Sequence, residues 1–512
     1  MNIIMANIVI VGGGVSGLSC GIFALQKGHN VTVCESHSEA GGNLTGWDRG
    51  DYHIDNCIHW LTGTNKNTKT YKLWQEIGAL ENTEIINPDS LYTCEHNGQE
   101  ISLTKDLSRL RGQMLKISPM DREETERFIR AVKVVQRLCN IAGDNHDKGY
   151  NFFQKMINLP RLYPYFRMST KDLAKRFSHP LLKKFIIGFL GEDFSSCALI
   201  IVTAHITGEN GGIPVGGSKQ MAKRIADKFV SMGGNLLLGS KVISLNRQRN
   251  VIKSVTLSTH KQINADYVVL TTDPASTFGE ILDVKMPKAL QKLYKSPKMQ
   301  RFSSYHCAFS LDVEHLPFTG DYIFEIPVEY QMILRTKCLI IREFSHQKDF
   351  APNGKSIIQT LTFCEEKDAL AFIELRKNQW AYSQKKNYLS TVVQTLITEK
   401  FPQFNGKIQC IDMWTPATYK KFTASDIGSY MSFALPPKTL PIRLNNRVRG
   451  IKNLVLATQW LQSPGGLPIA LEGGRRAALT IDKLVAKATK KTKTHKIKGS
   501  SFSAVQKTKA LQ

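Results

Sequence analysis

The chain has 512 residues, of which 42% are hydrophobic and 22% are charged, and its formal net charge is +25. These proportions exclude a fully disordered chain, and the length predicts two or three compact units rather than one core. The best candidate for a spanning helix, residues 197–204, is far shorter than the roughly 18–20 residues required, so we expect no membrane span.

The charge is concentrated near the end of the chain, whereas the cysteines are scattered along it. After Asp482 there are nine lysines and no acid, so we expect residues 486–512 to form a basic disordered tail. Such a tail is either solvated or bound to an anionic membrane, and it contacts nucleic acid only without specificity. The ten cysteines include no CxxC pair, which favours a reducing cytoplasm and predicts no metal site. The expected location is therefore cytoplasmic, with membrane association on the cytoplasmic face as the alternative.

The start of the chain has the pattern of a β-α-β unit. Asn7–Val11 is an apolar run rich in β-branched residues, and glycines follow it. The spacing from Val15 to Lys27 then predicts a helix with Gly28 as its cap, and Val31–Cys34 predicts a second strand.

The next segment predicts a hairpin followed by helices. Residues 84–103 have strand character around Asn97-Gly98, which is a strong hairpin signal. Ser118-Pro119 predicts the start of a helix that runs to about Ala142, and Thr170 begins another. Between them, residues 150–168 interleave aromatic and aliphatic side chains with basic ones, namely Lys155, Arg161 and Arg167. This stretch is either a helix packed on the core or a segment that lies in a membrane interface.

The second half predicts a return to an alternating pattern and then an antiparallel sheet. A helix is expected from Gly216 to Met232, and a long helix near Gln379–Lys400. The predicted strands are Asn235–Leu238, Val242–Asn246, Val251–Leu257 and Ala265–Thr271, followed by Tyr305–Leu311, Cys338–Ile341 and Ile357–Thr362.

The first glycines form a GxGxxG pattern between a strand and a helix. Gly12 permits a tight turn, Gly14 lets the backbone approach a pyrophosphate, and Gly17 lets the helix pack on the strand. The helix N-terminus, with Val15 and Ser16, attracts the negative charge. Glu35 at the end of the second strand is placed to accept hydrogen bonds from a ribose. The pattern predicts a bound dinucleotide.

A second glycine pair follows Glu35 and Ser36 at Gly41-Gly42-Asn43-Leu44. It resembles the second flavin-binding segment of the FAD-dependent amine oxidase and phytoene desaturase superfamily. The resemblance implies FAD, and an α/β fold whose FAD-binding Rossmann-like domain, of the glutathione-reductase type, is interrupted by an α+β substrate domain. The substrate domain would have a mixed or antiparallel sheet and a helical, membrane-facing insertion.

The resemblance continues at the other end of the chain, over residues 453–478. There the family's C-terminal flavin motif implies that a helix beginning near Leu467-Pro468 directs its N-terminus at the flavin ring. The cofactor-binding residues implied in this block are Gln459, Gly466, Leu467, Pro468 and Ala470. The segment from Gly212 to Pro274 is similar to the middle block of the family, in which Val242 meets the adenine. The implied flavin domain is 1–75, 210–275 and 425–485, and the substrate domain is 76–209 and 276–424.

Within that superfamily, the carotenoid desaturase, carotenoid isomerase and retinol saturase branch is the most similar. Residues 49–61 resemble its GxxxDxGxH segment, although Cys57 stands where that family commonly has glycine. The residues that this similarity places beside the flavin are His59, Trp60, Gln459 and Trp460, with Lys219 and Arg49 farther away.

The resemblance implies hydride transfer between a C–C unit of an apolar isoprenoid or polyene substrate and the flavin N5. NAD(P) or a quinone would then be the electron partner. Two alternatives stay open: oxidation of a C–N bond, as in amine oxidases, and a flavin-free carrier of lipidated proteins, as in GDP dissociation inhibitors. The sequence does not predict an oligomeric state.

Overall fold

The computed structural model describes residues 5–141, 152–439 and 442–508. A five-stranded parallel sheet forms its first layer and combines strands from the beginning, the middle and the end of the chain. In spatial order these strands are Leu454–Leu456, Tyr267–Leu270, Asn7–Val11, Asn30–Cys34 and Asn235–Leu237. The interrupted Rossmann-like fold that the sequence predicts is therefore confirmed.

Helices cover one face of the parallel sheet, and a small sheet covers the other. The helices Val15–Leu25, Gly217–Ser231 and Leu467–Thr508 share one buried apolar core with the strands. On the opposite face, a second core joins the strands to a three-stranded antiparallel sheet. The strands of that sheet are Val242–Gln248, Val251–Leu257 and Gln262–Asn264.

A seven-stranded mixed sheet organises the remainder of the molecule. Its neighbours are antiparallel except for Asp321–Glu325 and Ser90–His96, which are parallel. The spatial order is Ile408–Trp414, Ser303–Leu311, Ser356–Cys364, Cys338–Glu343, Asp321–Glu325, Ser90–His96 and Gln99–Thr104. Asn97 and Gly98 have positive φ angles, as the predicted two-residue hairpin turn requires.

The other elements surround these sheets. Gly46–Arg49 pairs with Tyr52–Asp55, and Ile85–Ile86 pairs with Ile213–Pro214. The remaining α-helices are Lys69–Glu76, Leu107–Ile117, Arg122–Cys139, Phe152–Asn158, Tyr163–Arg167, Thr170–Ala174, Pro180–Gly188, Ser196–Thr207, Pro274–Ser276, Lys288–Tyr294, Val328–Leu334, Glu366–Leu375, Gln379–Lys400 and Pro416–Thr423. Short 3-10 turns are Pro119–Asp121, Leu159–Leu162, Pro402–Phe404 and Gln459–Leu461, and Thr277–Ile281 is a π-turn.

Some boundaries differ from the sequence-based expectations. The helix expected from Ser118 begins at Arg122, after a 3-10 turn, and ends at Cys139. The last helix has a backbone that stays helical to Thr508, whereas we expected disorder from residue 486. Alanine and lysine are strong helix formers, and this segment has no proline to interrupt them. Residues 509–512 of the expected tail and residues 150–151 of the aromatic-basic stretch lie outside the described residues.

Across the described ranges, none of the helices is both long and apolar enough to cross a membrane.

Candidate functional site

The loop Gly12–Gly17, which we call the glycine loop, connects the central strand to the first helix. Gly12 has φ +102°, a conformation that glycine adopts without strain. A side chain at Gly17 would collide with the Gly12 carbonyl. At Gly14, by contrast, φ is −72° and an added Cβ would lie 3.6 Å from the Gly41 oxygen, an ordinary contact. Gly12 and Gly17 therefore shape the loop, whereas the fold of the chain itself does not require glycine at position 14.

The carboxylate of Glu35 is buried beside the glycine loop. Its Oε2 accepts a hydrogen bond of 2.7 Å from the Gly13 N–H. Its Oε1 accepts from the His37 N–H at 2.9 Å and from the Ser36 hydroxyl at 3.0 Å. Glu35 thus anchors the loop in addition to the predicted contact with a ribose, which stays a prediction.

The Gly-Gly loop, Gly41–Leu44, lies directly against the glycine loop. The Gly41 N–H donates to the Gly13 carbonyl at 3.0 Å, and a Cβ on Gly42 would be 3.4 Å from the Gly14 Cα. Leu44 is buried in the same core as the first helix. The two glycine motifs are separated in sequence by about one β-α-β unit. They nevertheless meet at the N-terminus of the first helix.

The C-terminal segment forms the third side of this region. The Gln459 side chain accepts a hydrogen bond of 3.1 Å from the Gly466 N–H and holds the turn before the last helix. That helix, Leu467–Thr508, begins where the sequence predicts, with Pro468 in its first turn. Gln459 therefore has a structural role in this turn, and its expected contact with the flavin stays a prediction.

Contacts between the two ends of the chain confirm that they fold together. The Ser16 hydroxyl donates to the carbonyl of Ala457, more than 400 positions away. Ala470 packs against the core that contains Val15 and Leu44. The first turn of the last helix therefore belongs to the same structural unit as both glycine loops.

A group of polar and aromatic side chains lies where the first segment meets the seven-stranded sheet. We call this group the seam cluster. Its members are Asn43, Asn56, Cys57, His59, Ser304, His306, Arg342, Trp414, Tyr419 and Tyr430.

Hydrogen bonds connect the seam cluster to the Gly-Gly loop. The Tyr419 hydroxyl donates to Asn56 Oδ1 at 3.0 Å and lies 3.1 Å from His306 Nε2. The Asn56 amide donates to the Asn43 carbonyl, and the Asn43 amide donates to the Tyr430 carbonyl, both at 3.1 Å. Burial lowers the pKa of His306 to about 3, so its ring is neutral.

The buried charge of Arg342 in the seam cluster is paired with a buried carboxylate. Arg342 makes two hydrogen bonds of 2.8 Å to Asp321, its cross-strand neighbour, and a third of 3.3 Å to His59 Nε2. Burial lowers the pKa of Arg342 to about 9, although Asp55 opposes this shift. Burial also raises the pKa of the Cys57 thiol to about 12, so the thiol stays neutral.

Asp55 ties the first segment to the middle one, a role that the sequence analysis did not assign. Its carboxylate accepts hydrogen bonds from the N–H groups of Cys57, Ile58 and Ser218 and from the Ser218 hydroxyl. A Cβ on Gly217 would collide with this carboxylate. The aspartate of the GxxxDxGxH segment was the available signal, whereas Arg342 lies on an ordinary strand and offered none.

The candidate catalytic residues occupy different places. His59 lies in the seam cluster. The Trp60 ring packs towards His205 and the helical core, and the Trp460 indole is buried between Tyr294 and Phe433. The structure therefore separates the two tryptophans, and their expected position beside the flavin stays a prediction.

The more distant candidates are surface groups, and Val242 is a core residue. Arg49 pairs with Asp412 at 2.7 Å, and Lys219 lies 3.4 Å from Asp48. Val242 is buried in the core between the parallel and three-stranded sheets. Within the described part of the chain, no three His, Cys, Asp or Glu side chains are arranged to hold a metal.

Two buried atoms test whether this region fits a flavin. Asn43 Oδ1 and His59 Nδ1 are buried, and neither has a hydrogen-bond partner among the described residues. Buried polar atoms are normally paired, so each requires a polar group from elsewhere. FAD offers ring heteroatoms and ribityl hydroxyls next to its pyrophosphate. The residues present therefore fit this cofactor.

The chain is similar to proteins of known name over most of its length. It is 23% identical over 455 residues to prolycopene isomerase 1, chloroplastic, of an Oncidium hybrid cultivar, covering 82% of this chain and 74% of the relative. It is 21% identical over 519 residues to 4,4'-diaponeurosporene oxygenase of Staphylococcus haemolyticus, covering 94% and 98%. An oxidoreductase from Methanosarcina mazei has the same fold, with a TM-score of 0.60 at 15% identity over 93% of this chain and 100% of that chain.

The sequence pattern of a family described as "Flavin containing amine oxidoreductase" matches residues 15–308, more than half of the chain. This match includes the first helix, Val15–Leu25, the Gly-Gly loop and the middle segment. With the two glycine loops meeting at one helix N-terminus, it establishes that the chain belongs to the flavin-containing amine oxidoreductase family and is an FAD-dependent oxidoreductase.

Proposed function

We propose that the chain acts on a C–C unit of an apolar polyene, in the manner of carotenoid desaturases, saturases or isomerases. The observation that carries this proposal is the similarity to prolycopene isomerase and diaponeurosporene oxygenase, both named for carotenoid substrates, over most of the chain. When bound, FAD supplies hydride acceptance and donation at N5. The electron partner that we propose is NAD(P) or a quinone.

The chain's own residues would hold and orient the cofactor and keep water away. The glycine loop and the first helix receive the pyrophosphate, and Glu35 receives the adenosine ribose. The turn that Gln459 holds with Gly466 precedes the last helix, and the N-terminus of that helix would face the ring. The aromatic members of the seam cluster, Trp414, Tyr419 and Tyr430, would offer ring surface to a hydrocarbon substrate.

Oxidation of an amine is the second candidate. The observation that favours it is the aromatic pair Tyr419 and Tyr430, whose ring centroids are 6.3 Å apart. The charges favour the polyene instead. The buried cation Arg342 would repel an ammonium group, and Asp321 and Asp55 are already saturated by donors.

Anaerobic substrate tests distinguish these candidates. FAD-loaded protein is mixed with a panel of acyclic polyenes and a panel of primary amines, and flavin absorbance and the polyene spectrum are followed with oxidised and with pre-reduced enzyme. We expect polyenes to bleach the oxidised flavin or to change their own spectrum with the reduced enzyme. Bleaching by amines alone would overturn the proposed substrate class. A colourless protein that takes up no FAD would instead favour a carrier of lipidated proteins.

We further propose that the protein reaches its substrate at an anionic membrane. The supporting residues form an apolar-basic surface on Phe152–Asn158 and the two short helical segments that follow it. Met156 and Ile157 are 64% and 66% exposed, and Leu159 and Tyr163 are also more than half exposed. Arg161 and Arg167 lie in the same segments. Exposed apolar groups beside basic ones suit the interface of an anionic bilayer.

Vesicle binding tests this surface. The triple variant Met156→Ser, Ile157→Ser, Leu159→Ser should co-sediment less with phosphatidylglycerol vesicles than the unmodified protein. The control is Val328→Ser with Met332→Ser, which removes two apolar side chains that are even more exposed, 74% and 78%, from the helix Val328–Leu334. Equal binding by all three proteins would contradict the proposed surface. If all three bind equally and lose vesicle binding only at high salt, the binding would be assigned to the lysine-rich terminal segment.

A further inference from the structure

His59 has two ring nitrogens in different surroundings. Nε2 lies 3.3 Å from an Arg342 guanidinium nitrogen, and Nδ1 is buried with no partner among the described residues. A guanidinium group only donates hydrogen bonds, so Nε2 must accept and carry its lone pair. The single proton of the neutral ring then lies on Nδ1.

Arg342 is held in place for this contact. It lies opposite Asp321 across two antiparallel strands and makes two hydrogen bonds of 2.8 Å to both carboxylate oxygens. Both side chains are buried, which leaves the guanidinium little freedom to turn. Its remaining nitrogen, Nη1, faces His59. The strand pair therefore determines which nitrogen of His59 is protonated.

A buried N–H without an acceptor is unfavourable, so Nδ1 requires a partner from beyond the described residues. A hydrocarbon polyene has no acceptor. The flavin ring has several, at its carbonyl oxygens and at N1 and N5, and reduction makes this edge more negative. The bound cofactor is thus the chemically suitable partner.

We propose that His59 donates a hydrogen bond from Nδ1–H to the acceptor edge of the flavin ring, and that Arg342, held by Asp321, is the positioning residue that sets this tautomer. This inference rests on FAD binding beside the seam cluster, as the proposed function does. It gives His59 the role of a fixed donor that stabilises reduced flavin. It also excludes His59 as a general base, because its only lone pair faces a cation.

The first test measures the reduction potential of FAD-loaded protein. His59→Leu should lower the ratio of reduced to oxidised flavin about tenfold at a given potential, which is about 30 mV for a two-electron couple. His59→Asn keeps a donor at the position of Nδ1 and should recover part of this shift, with a matching recovery of the flavin absorbance spectrum. An unchanged potential in His59→Leu that still binds FAD would overturn the inference.

The second test reads the tautomer directly, with 15N-labelled histidine and NMR of the imidazole nitrogens. The His59 signals are assigned by their disappearance in His59→Asn. We expect a proton on Nδ1 in the unmodified protein. In the double variant Arg342→Met, Asp321→Leu, which replaces the ion pair by apolar side chains of similar size, we expect the proton to be shared between Nδ1 and Nε2. A proton on Nε2 in the unmodified protein would overturn the inference. These two readouts do not depend on the substrate, so failure of all polyenes would overturn the proposed function and leave the inference standing.

Discussion

At the scale of single residues, Gly12, Gly14 and Gly17 of the glycine loop have different tasks. Gly14→Ala places a methyl group in ordinary contact, 3.6 Å from the Gly41 oxygen, with a φ that alanine adopts freely. We expect the flavin-free protein to change in stability by less than about 1 kcal/mol. FAD affinity should fall at least about tenfold, because the methyl group occupies the approach to the helix N-terminus. Titration of the flavin-free protein with FAD measures this loss.

Gly17→Ala is the matched comparison. Its methyl group would collide with the Gly12 carbonyl, so the loop itself must move. We expect thermal unfolding to show a loss of about 1–3 kcal/mol before any cofactor is added. If Gly14→Ala bound FAD as tightly as the unmodified protein, the pyrophosphate would not lie at this helix N-terminus.

Glu35 has a structural role as well as its predicted contact with the ribose. Glu35→Ala leaves the N–H groups of Gly13 and His37 without their acceptor, which should cost about 1–3 kcal/mol. Glu35→Gln keeps one acceptor oxygen and should lose less stability. Both variants should retain less FAD after dialysis, as the visible absorbance reports. Full retention of FAD by Glu35→Ala would refute the ribose contact while leaving the loop contact in place.

At the scale of elements, the contact between the first helix and the last one depends on a single glycine. A Cβ on Gly474 would lie 2.8 Å from the Cys20 nitrogen and closer still to the Ser16 carbonyl, whereas a Cβ on Gly473 would lie 3.7 Å from its nearest neighbour. The two positions are adjacent in one helix, so helix propensity favours alanine equally at both, by about 1 kcal/mol.

Gly474→Ala should therefore destabilise the protein by about 1–3 kcal/mol and weaken FAD binding, because the two helices must separate. Gly473→Ala should be neutral or slightly stabilising. Thermal unfolding with and without FAD separates these effects. Similar melting temperatures for the two variants would contradict the packing described here.

At the scale of the whole molecule, the flavin domain is completed by the last part of the chain. Ending the chain after Lys452 removes the edge strand Leu454–Leu456 and the buried side chains of the last helix, such as Leu471 and Ile481. We expect this shortened protein to bind no FAD and to unfold without cooperativity. Ending the chain after Thr489 keeps every one of these groups and should preserve FAD binding, as equilibrium dialysis would check. Equal FAD affinity of both shortened proteins would disprove the role of the C-terminal segment.

The sequence by itself determined the cofactor domain and most secondary structure. A glycine at Gly12 or Gly17 is required by backbone geometry within a few residues, so its signal is local. The hairpin at Asn97-Gly98 and the helix Gln379–Lys400 are also local patterns, of turn chemistry and of periodicity. The Rossmann-like unit could therefore be predicted although its strands come from three separate segments.

Only the tertiary structure decided which side chains share the site. Arg342 and His59 are 283 positions apart, and nothing in their local sequences indicates that they meet. Trp460 lies within the segment that resembles the C-terminal flavin motif, yet a 3-10 turn directs its indole into an aromatic core. The hydrogen bonds of the seam cluster depend on how the first segment of the chain approaches the seven-stranded sheet. That arrangement results from the packing of whole elements, whereas sequence patterns report local backbone preference and burial.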